Sequence, residues 1–250
     1  MTWDDPAVAA WWRDEVAADE AHAAEVVPLL LDVLAPEPGA SYLDLGCGDG
    51  RVMAAVAGAG GSPIGTDIAG PLLELAHDHG PVVRSRLPHL GWVAPDSLDG
   101  AYATLVFEHV AELRQLFSDL ASAVRPGGVL ALVVNHPVQT APGSGPFVDP
   151  DDFEVLWRWG RYLQVGYSDE PAGAHRVTFH HRSLAILLTT AAGAGWSLER
   201  LEERGIGDER AAADDLLAAQ QSIPWLLGVR WRLITDSPAD DRSVEGAPLI

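Results

Sequence analysis

Leu43-Asp44-Leu45-Gly46-Cys47-Gly48-Asp49-Gly50-Arg51 is the stretch on which the reading of this 250-residue chain turns. A short apolar segment (Tyr42, Leu43, Leu45) runs into three glycines spaced two apart, and an apolar run from Val52 to Val56 follows. That order predicts strand, tight turn and helix. Glycine lets the backbone turn sharply or lets a ligand lie against it. The helix beyond presents free N–H groups and a positive dipole end to that ligand. The pattern is acid-x-Gly-x-Gly-x-Gly, not the G-x-G-x-x-G of dinucleotide folds. An acid on the strand side, Asp44, suits a cationic ligand group better than a pyrophosphate.

Downstream, a helix is expected from Arg51 to Gly58, and Ser62 to Ile68 reads as a second strand. Asp67 stands at its end, 17 positions beyond Gly50. An acid roughly 20 residues past such glycines can take two ribose hydroxyls; the same side chain would also serve as the cap of the next helix, Gly70 to His79. Pro81 to Ser85 reads as a short third strand and Gly100 to Val106 as a fourth, closed by Phe107-Glu108-His109-Val110. Carboxyl ends of parallel strands face the ligand crevice, which sets Glu108 and His109 near the chemistry. An amphipathic helix from Ala111 to Val124 and the turn Arg125-Pro126-Gly127-Gly128 lead to Val129–Val134. A run that is apolar at every position fits a central strand buried on both faces. Asn135-His136-Pro137 then sits at a carboxyl end.

The flanks are less regular. Residues 7 to 35 read as two helices, ended by Pro36, Pro38 and Gly39. Trp11 and Trp12 either pack this segment on the body or form a flap over the cleft mouth. Residues 138–176 are too long and too aromatic for an ordinary connection. Trp157, Trp159, Tyr162 and Tyr167 make them an expected substrate lid. Arg176 to Arg182 leaves as an extended segment, in which His180 and His181 point to opposite sides. A helix from Leu184 to Ala194, a strand from Trp196 to Glu202, a polar loop and helix at 205–222 and a last strand from Ile223 to Ile234 complete the body. One domain is expected over 1–234, with a helical flap at 1–38 and the lid at 138–176, followed by a flexible tail at 235–250.

Composition narrows the partners. The chain carries 36 acidic and 16 basic residues, a formal charge of −20, and every basic residue is arginine. Such a surface repels phosphate backbones and anionic membranes. The single cysteine, Cys47, cannot form an internal disulfide, and no metal pattern surrounds it. The acidic N-terminus lacks the basic and apolar regions of a signal peptide, and no apolar run reaches the roughly 18 residues of a membrane span. A cytoplasmic protein is expected; the oligomeric state is left open.

Asp44 to Gly50, Asp67, Glu108-His109 and Arg125-Pro126-Gly127-Gly128, in this order and spacing, resemble the motifs of the class I S-adenosylmethionine-dependent methyltransferases. The closer resemblance is to the bacterial small-molecule, type 11-like group. It implies an α/β, Rossmann-like sheet of seven strands in the order 3-2-1-4-5-7-6, strand 7 antiparallel, between helices. It implies S-adenosylmethionine as cofactor and a small-molecule methyl acceptor, apolar or aromatic given the lid. The implied cofactor contacts are Asp44, Gly46, Cys47, Gly48, Gly50, Asp67, Ile68, Arg86, Leu87 and Phe107. The family's adenine-binding acid before Leu87-Pro88 is missing, which leaves that role to Ser85, Arg86 or backbone groups. Where the acceptor must lose a proton, His136, His181 and His109 are the candidate bases, in that order. The alternative is a non-catalytic binder of S-adenosylmethionine or S-adenosylhomocysteine acting through partner contacts.

Overall fold

The N-terminal segment lies against the body as α1 (Pro6–Trp11) and α2 (Val27–Leu34), with one π-helical turn after α1 and another before α2. Both helices have proline in the first turn, where its missing N–H costs nothing. The computed structural model describes residues 3–16, 22–172 and 174–234; the tail expected at 235–250 lies outside them. From the glycine stretch onward come β1 (Ser41–Leu45), α3 (Arg51–Gly58), β2 (Ser62–Asp67), α4 (Gly70–Ala76), β3 (Val82–Arg84), β4 (Leu98–Thr104), α5 (Leu113–Ala123) and β5 (Val124–Asn135). Then follow α6 (Pro137–Thr140), β6 (Ser144–Val148), β7 (Val155–Trp159), β8 (Gly166–Ala172), β9 (His175–His181), α7 (Leu184–Ala192), β10 (Trp196–Arg204), α8 (Asp208–Ala213), α9 (Asp215–Ala218) and β11 (Leu226–Leu233).

Seven strands form one sheet, in the order β3-β2-β1-β4-β5-β11-β10. The first five are parallel, and β11 runs antiparallel to both β5 and β10. Because β10 and β11 are the sixth and seventh strands of this sheet, the order is the expected 3-2-1-4-5-7-6. The core lies on both faces. On one, α2 and α3 bring Leu29, Leu30, Val33, Val52 and Val56 against Tyr102 and Val133. On the other, Leu116, Phe117 and Leu120 of α5 and Leu187 of α7 meet Trp196 and Trp231. Trp196 is buried there without cost to its indole, which donates to the Phe117 carbonyl at 3.0 Å.

Several expectations are corrected. The fourth strand stops at Thr104; Leu105 has φ +56° and a 3₁₀ turn over Phe107–His109 replaces the expected strand end. The Arg-Pro-Gly-Gly turn belongs to an irregular start of β5, where the pairing jumps from Leu98–Val124 to Gly100–Val129. The polar stretch at 205–222 holds two short helices, and α6 was not foreseen. The segment expected as a lid, 138–176, holds the hairpin β6–β7 and most of a second, β8–β9, which runs on to His181.

Candidate active site

At the end of β1 the backbone leaves the sheet through Gly46 (φ +68°) and Gly48 (φ +54°). The turn is tied to β2. Gly46 and Cys47 N–H both donate to the Thr66 carbonyl, at 2.7 and 3.0 Å. Gly48 N–H donates to Asp67 Oδ2 at 2.9 Å, and Ala69 N–H donates to Oδ1 at 2.8 Å. Asp67 therefore both shapes the glycine turn and lines the cleft beside it. Burial raises its pKa, and the backbone donors at Ala69, Gly48 and Ile68 oppose that rise.

Asp44 lies beneath the turn, 1% exposed, and neither carboxylate oxygen completes a hydrogen bond among the described residues. Burial pushes its pKa well above the ordinary carboxylate range; the neighbouring Tyr102 hydroxyl offsets part of this and the charge of Asp67 adds to it. Cys47 borders the cleft, but burial raises its thiol pKa, so it is not a thiolate.

The cleft has a volume of about 270 Å³. Gly46, Cys47, Gly48 and Asp67 form one side, with Ile68, Ser85, Arg86 and Leu87 beyond them. Opposite stand Leu105, Val106, His109 and Val110 from the turn after β4, and Val177 and Thr178 from β9. Trp3 and Trp12 complete the wall. The Trp12 ring covers the glycine turn so closely that a Cβ on Gly48 would lie 2.9 Å from it. The Arg51 guanidinium sits 5.6 Å from the same ring. Ala9 of α1 packs with Ala69 and Leu72 at the start of α4, while Val8 packs on Val177 of β9. The Arg86 guanidinium pairs with Asp4 at 3.0 Å. The N-terminal segment thus spans the cleft from α4 to β9.

Of the three candidate bases, only His109 reaches the cleft. Its Nδ1 donates to the Thr178 carbonyl at 3.0 Å. A carbonyl can only accept, so Nδ1 carries the proton and Nε2 keeps the lone pair. Trp3 and Phe179 meet the ring edge-on, at 4.8 and 4.5 Å between centroids. Burial pushes its pKa down to about 4, so the ring is neutral at pH 7. His136 and His181 are elsewhere. His136 is buried as the N-cap of α6: Val138 N–H donates to Nδ1 at 3.1 Å, and Nε2 meets Glu203 at 2.8 Å. His181 is buried with Nε2 on the Tyr162 carbonyl at 2.8 Å and Nδ1 on the Thr140 hydroxyl at 3.1 Å. With both nitrogens of each ring engaged, neither is free to take a proton from a ligand.

Three more placements differ from the sequence reading. Phe107 packs in the core, 5.5 Å from Phe117, because the 3₁₀ turn rotates it inward. Gly50 lies at the α3–α4 contact: a Cβ there would stand 2.7 Å from Ala76 Cα. The four lid aromatics do not line the cleft. Trp159 and Tyr167 are exposed and Tyr162 packs on His181, since the β8–β9 hairpin turns β9, not the aromatic segment, toward the sheet. Val177 and Thr178 were missed as wall residues; as neighbours on a strand they point to opposite faces, so alternation could have marked one of them and not both. Trp3 carried no pattern in the sequence; the Trp11-Trp12 pair did.

Residues 43–132 match the family model described as "Methyltransferase domain". The chain is similar to an S-adenosylmethionine-dependent methyltransferase of known structure from Mesorhizobium loti, with 28% identity and a TM-score of 0.71 over 82% of this chain and 96% of that one. It is 29% identical over 219 residues to nocamycin O-methyltransferase of Saccharothrix syringae, covering 81% of this chain and 71% of that protein. It is 27% identical over 154 residues to an uncharacterized methyltransferase of Mycobacterium tuberculosis, covering 58% of this chain and 69% of that one. Strand order, glycine turn and these similarities together make the chain a class I S-adenosylmethionine-dependent methyltransferase.

Proposed function

We propose that this methyltransferase moves the methyl group of S-adenosylmethionine to a hydroxyl oxygen of a small, apolar or aromatic metabolite bound under the N-terminal segment. The observation that carries the reading is the shape of the cleft: Asp67 and the side-chain-free glycine turn at one side, Trp3, Val110 and Val177 at the other. The residues suit the cofactor. Asp67 has two oxygens, each already oriented by a backbone N–H, with lone pairs left for ribose hydroxyls. Gly46 and Gly48 lack the Cβ that would meet Val106 and Trp12, so those side chains close directly on the turn, and the buried Asp44 beneath it keeps an acceptor oxygen for a cationic amino acid end, whose positive charge would favour the ionised carboxylate. Ile68, Ser85, Arg86 and Leu87 line the same side of the cleft, which supports them as the adenine contacts in the absence of the acid that the family pattern would have supplied.

When bound, the cofactor's sulfonium supplies an electrophilic methyl group. The protein's part is alignment and exclusion of water. Trp12 covers the glycine turn, and Trp3 and Val177 close the far side, so the residues flanking α1 and β9 together act as the flap. The rings of Trp3 and Trp12 favour both an apolar acceptor and a nearby positive charge. His109 Nε2 is a hydrogen-bond acceptor that can orient an attacking hydroxyl; as the O–CH3 bond forms and the S–CH3 bond breaks, the hydroxyl proton passes by way of Nε2 to water, since a ring of low pKa does not retain it. The oxygen as target is supported by the O-methyltransferase among the similar proteins. The acidic surface supports a small-molecule acceptor over nucleic acid; no helix among the described residues is long and apolar enough to cross a membrane.

The test is turnover. The chain, incubated with methyl-labelled S-adenosylmethionine and a panel of small phenols, is expected to give labelled methyl ethers. His109→Phe, which keeps the ring packing, is expected to slow transfer about ten-fold with unchanged cofactor affinity. Label passing instead to bulk RNA or to protein would contradict the assignment. Tight cofactor binding with no transfer to any member of the panel would favour the non-catalytic alternative.

A further inference from the structure

A second pocket, of about 30 Å³, lies beside the cleft. The same two elements line both, through neighbouring residues. The turn after β4 lines the cleft with His109 and Val110 and the small pocket with Phe107 and Glu108. β9 lines the cleft with Thr178 and the small pocket with His180. Thr178 and His180 lie on one face of the strand, about 7 Å apart. It is His180, not His181, that turns toward a pocket. Asn135, from the carboxyl end of β5, closes the polar side, and Leu113, Leu132, Val134 and Leu187 close the apolar one.

Glu108 is the unexplained group. It is only 6% exposed. Its Oε1 accepts from Asn135 Nδ2 at 2.9 Å and from the Asn135 N–H at 3.4 Å. Its Oε2 is buried and has no hydrogen-bond partner among the described residues. The nearby Arg182 does not supply one: its donors go to the carbonyls of Val110, Ala111, Phe107 and His180. A buried carboxyl oxygen left unpaired is costly, and a ligand donor would relieve it.

We propose that the small pocket is the distal end of the acceptor subsite, and that Glu108 Oε2 binds a second, neutral hydroxyl of the acceptor, the one that is not methylated. This rests on the methyltransferase reading of the main cleft. The volume admits a hydroxyl on one carbon and not a ring. Arg182 beside the pocket disfavours an ammonium, and Glu108 itself disfavours a carboxylate. Burial lifts the Glu108 pKa to about 7. Near neutrality the carboxyl is therefore partly protonated and can donate as well as accept, as a hydroxyl does.

The experiment uses two isosteric probes, 4-(hydroxymethyl)phenol and 4-ethylphenol, whose only difference is the hydroxyl at the far end of the ring. Each is titrated into the full chain loaded with S-adenosylhomocysteine, and ligand-observed NMR gives the affinities. The wild type should prefer 4-(hydroxymethyl)phenol by ten-fold or more, because a site built around a hydroxyl rejects the analogue lacking it. Glu108→Gln, which keeps a hydrogen-bonding end, should retain most of that preference. Glu108→Leu should bring it within two-fold. Calorimetric affinity for S-adenosylhomocysteine, expected to be equal in all three proteins, reports that each is folded. Equal affinity with no preference in the wild type, or with the preference intact in Glu108→Leu, overturns the inference alone. Absence of S-adenosylhomocysteine binding to the wild type overturns the methyltransferase reading and this inference with it.

Discussion

Single residues at this site act through burial. Glu108 and His109 are neighbours in one turn, and burial disfavours the charged form of both: it raises the carboxyl from 4.5 to about 7 and lowers the imidazole from 6.5 to about 4. Their effects on stability have opposite signs. The Glu108 carboxyl is bound more tightly to its proton in the folded state, so its contribution is full below pH 4.5 and is lost as pH rises to about 7. His109 contributes above pH 6.5 and loses that as pH falls toward 4. In a comparison of wild type with Glu108→Gln the histidine is common to both and cancels. The wild type should lose, relative to the variant, on the order of 3 kcal/mol between pH 4.5 and 7, with no further change above. Urea melts at pH 5, 6, 7 and 8 measure this; parallel stability curves would show that Glu108 is not held neutral. At this scale the sequence was legible where chemistry is local, as in the acid and glycines of the first turn. It was not legible for the histidines. Whether a histidine is free depends on partners far along the chain, such as Glu203 for His136 and Tyr162 for His181.

Elements were mostly readable from pattern, and their ends were not. The all-apolar Val129–Val134 marked the central strand, and the spacing from the glycines to Asp67 marked the second. The strand ends depend on backbone turns that hydropathy does not record, such as the positive φ of Leu105. That turn sends Phe107 into the core and Val106 into the cleft. The irregular pairing of β4 with β5 rests on Gly100, where a Cβ would stand 2.7 Å from the Val129 carbonyl oxygen. Backbone within a sheet cannot yield as a side chain can. Gly100→Ala is therefore expected to destabilise by about 3 kcal/mol, read as a lowered denaturation midpoint at unchanged m-value. The stretch from Trp3 to Trp12 makes a different prediction, because it lines the cleft and, unlike α2, does not pack on the sheet core. Trp12→Ala should leave the melting temperature within a few degrees and speed S-adenosylhomocysteine release about ten-fold in stopped-flow. Unchanged release would remove the flap role from this segment.

For the molecule as a whole, the sheet order followed from the resemblance of short motifs, since few topologies place those motifs at adjacent carboxyl ends. The acceptor side followed less well. The lid expectation rested on aromatic composition, but the aromatics lie along hairpins whose exposed faces turn away from the cleft. Composition records how much apolar surface a segment has, and hairpin geometry decides where it points. The formal charge of −20 acts on the entire fold. Repulsion among the carboxylates opposes compaction, and salt screens it within about 10 Å at 0.1 M. Raising sodium chloride from 0.02 to about 0.3 M should therefore raise the melting temperature; a decrease would mean that the arginine ion pairs outweigh the repulsion.

The account depends most on one claim: that Asp67 and the glycine turn form the cofactor site. Calorimetric titration of S-adenosylhomocysteine into wild type and Asp67→Ala tests it, with a melting curve of each protein to confirm folding. Loss of the carboxylate removes charge-assisted hydrogen bonds worth about 1.5–3 kcal/mol each. The wild type should bind one molecule per chain, and the folded variant should bind at least ten-fold more weakly. Equal affinity in the two proteins, or no binding by the wild type, would contradict the claim.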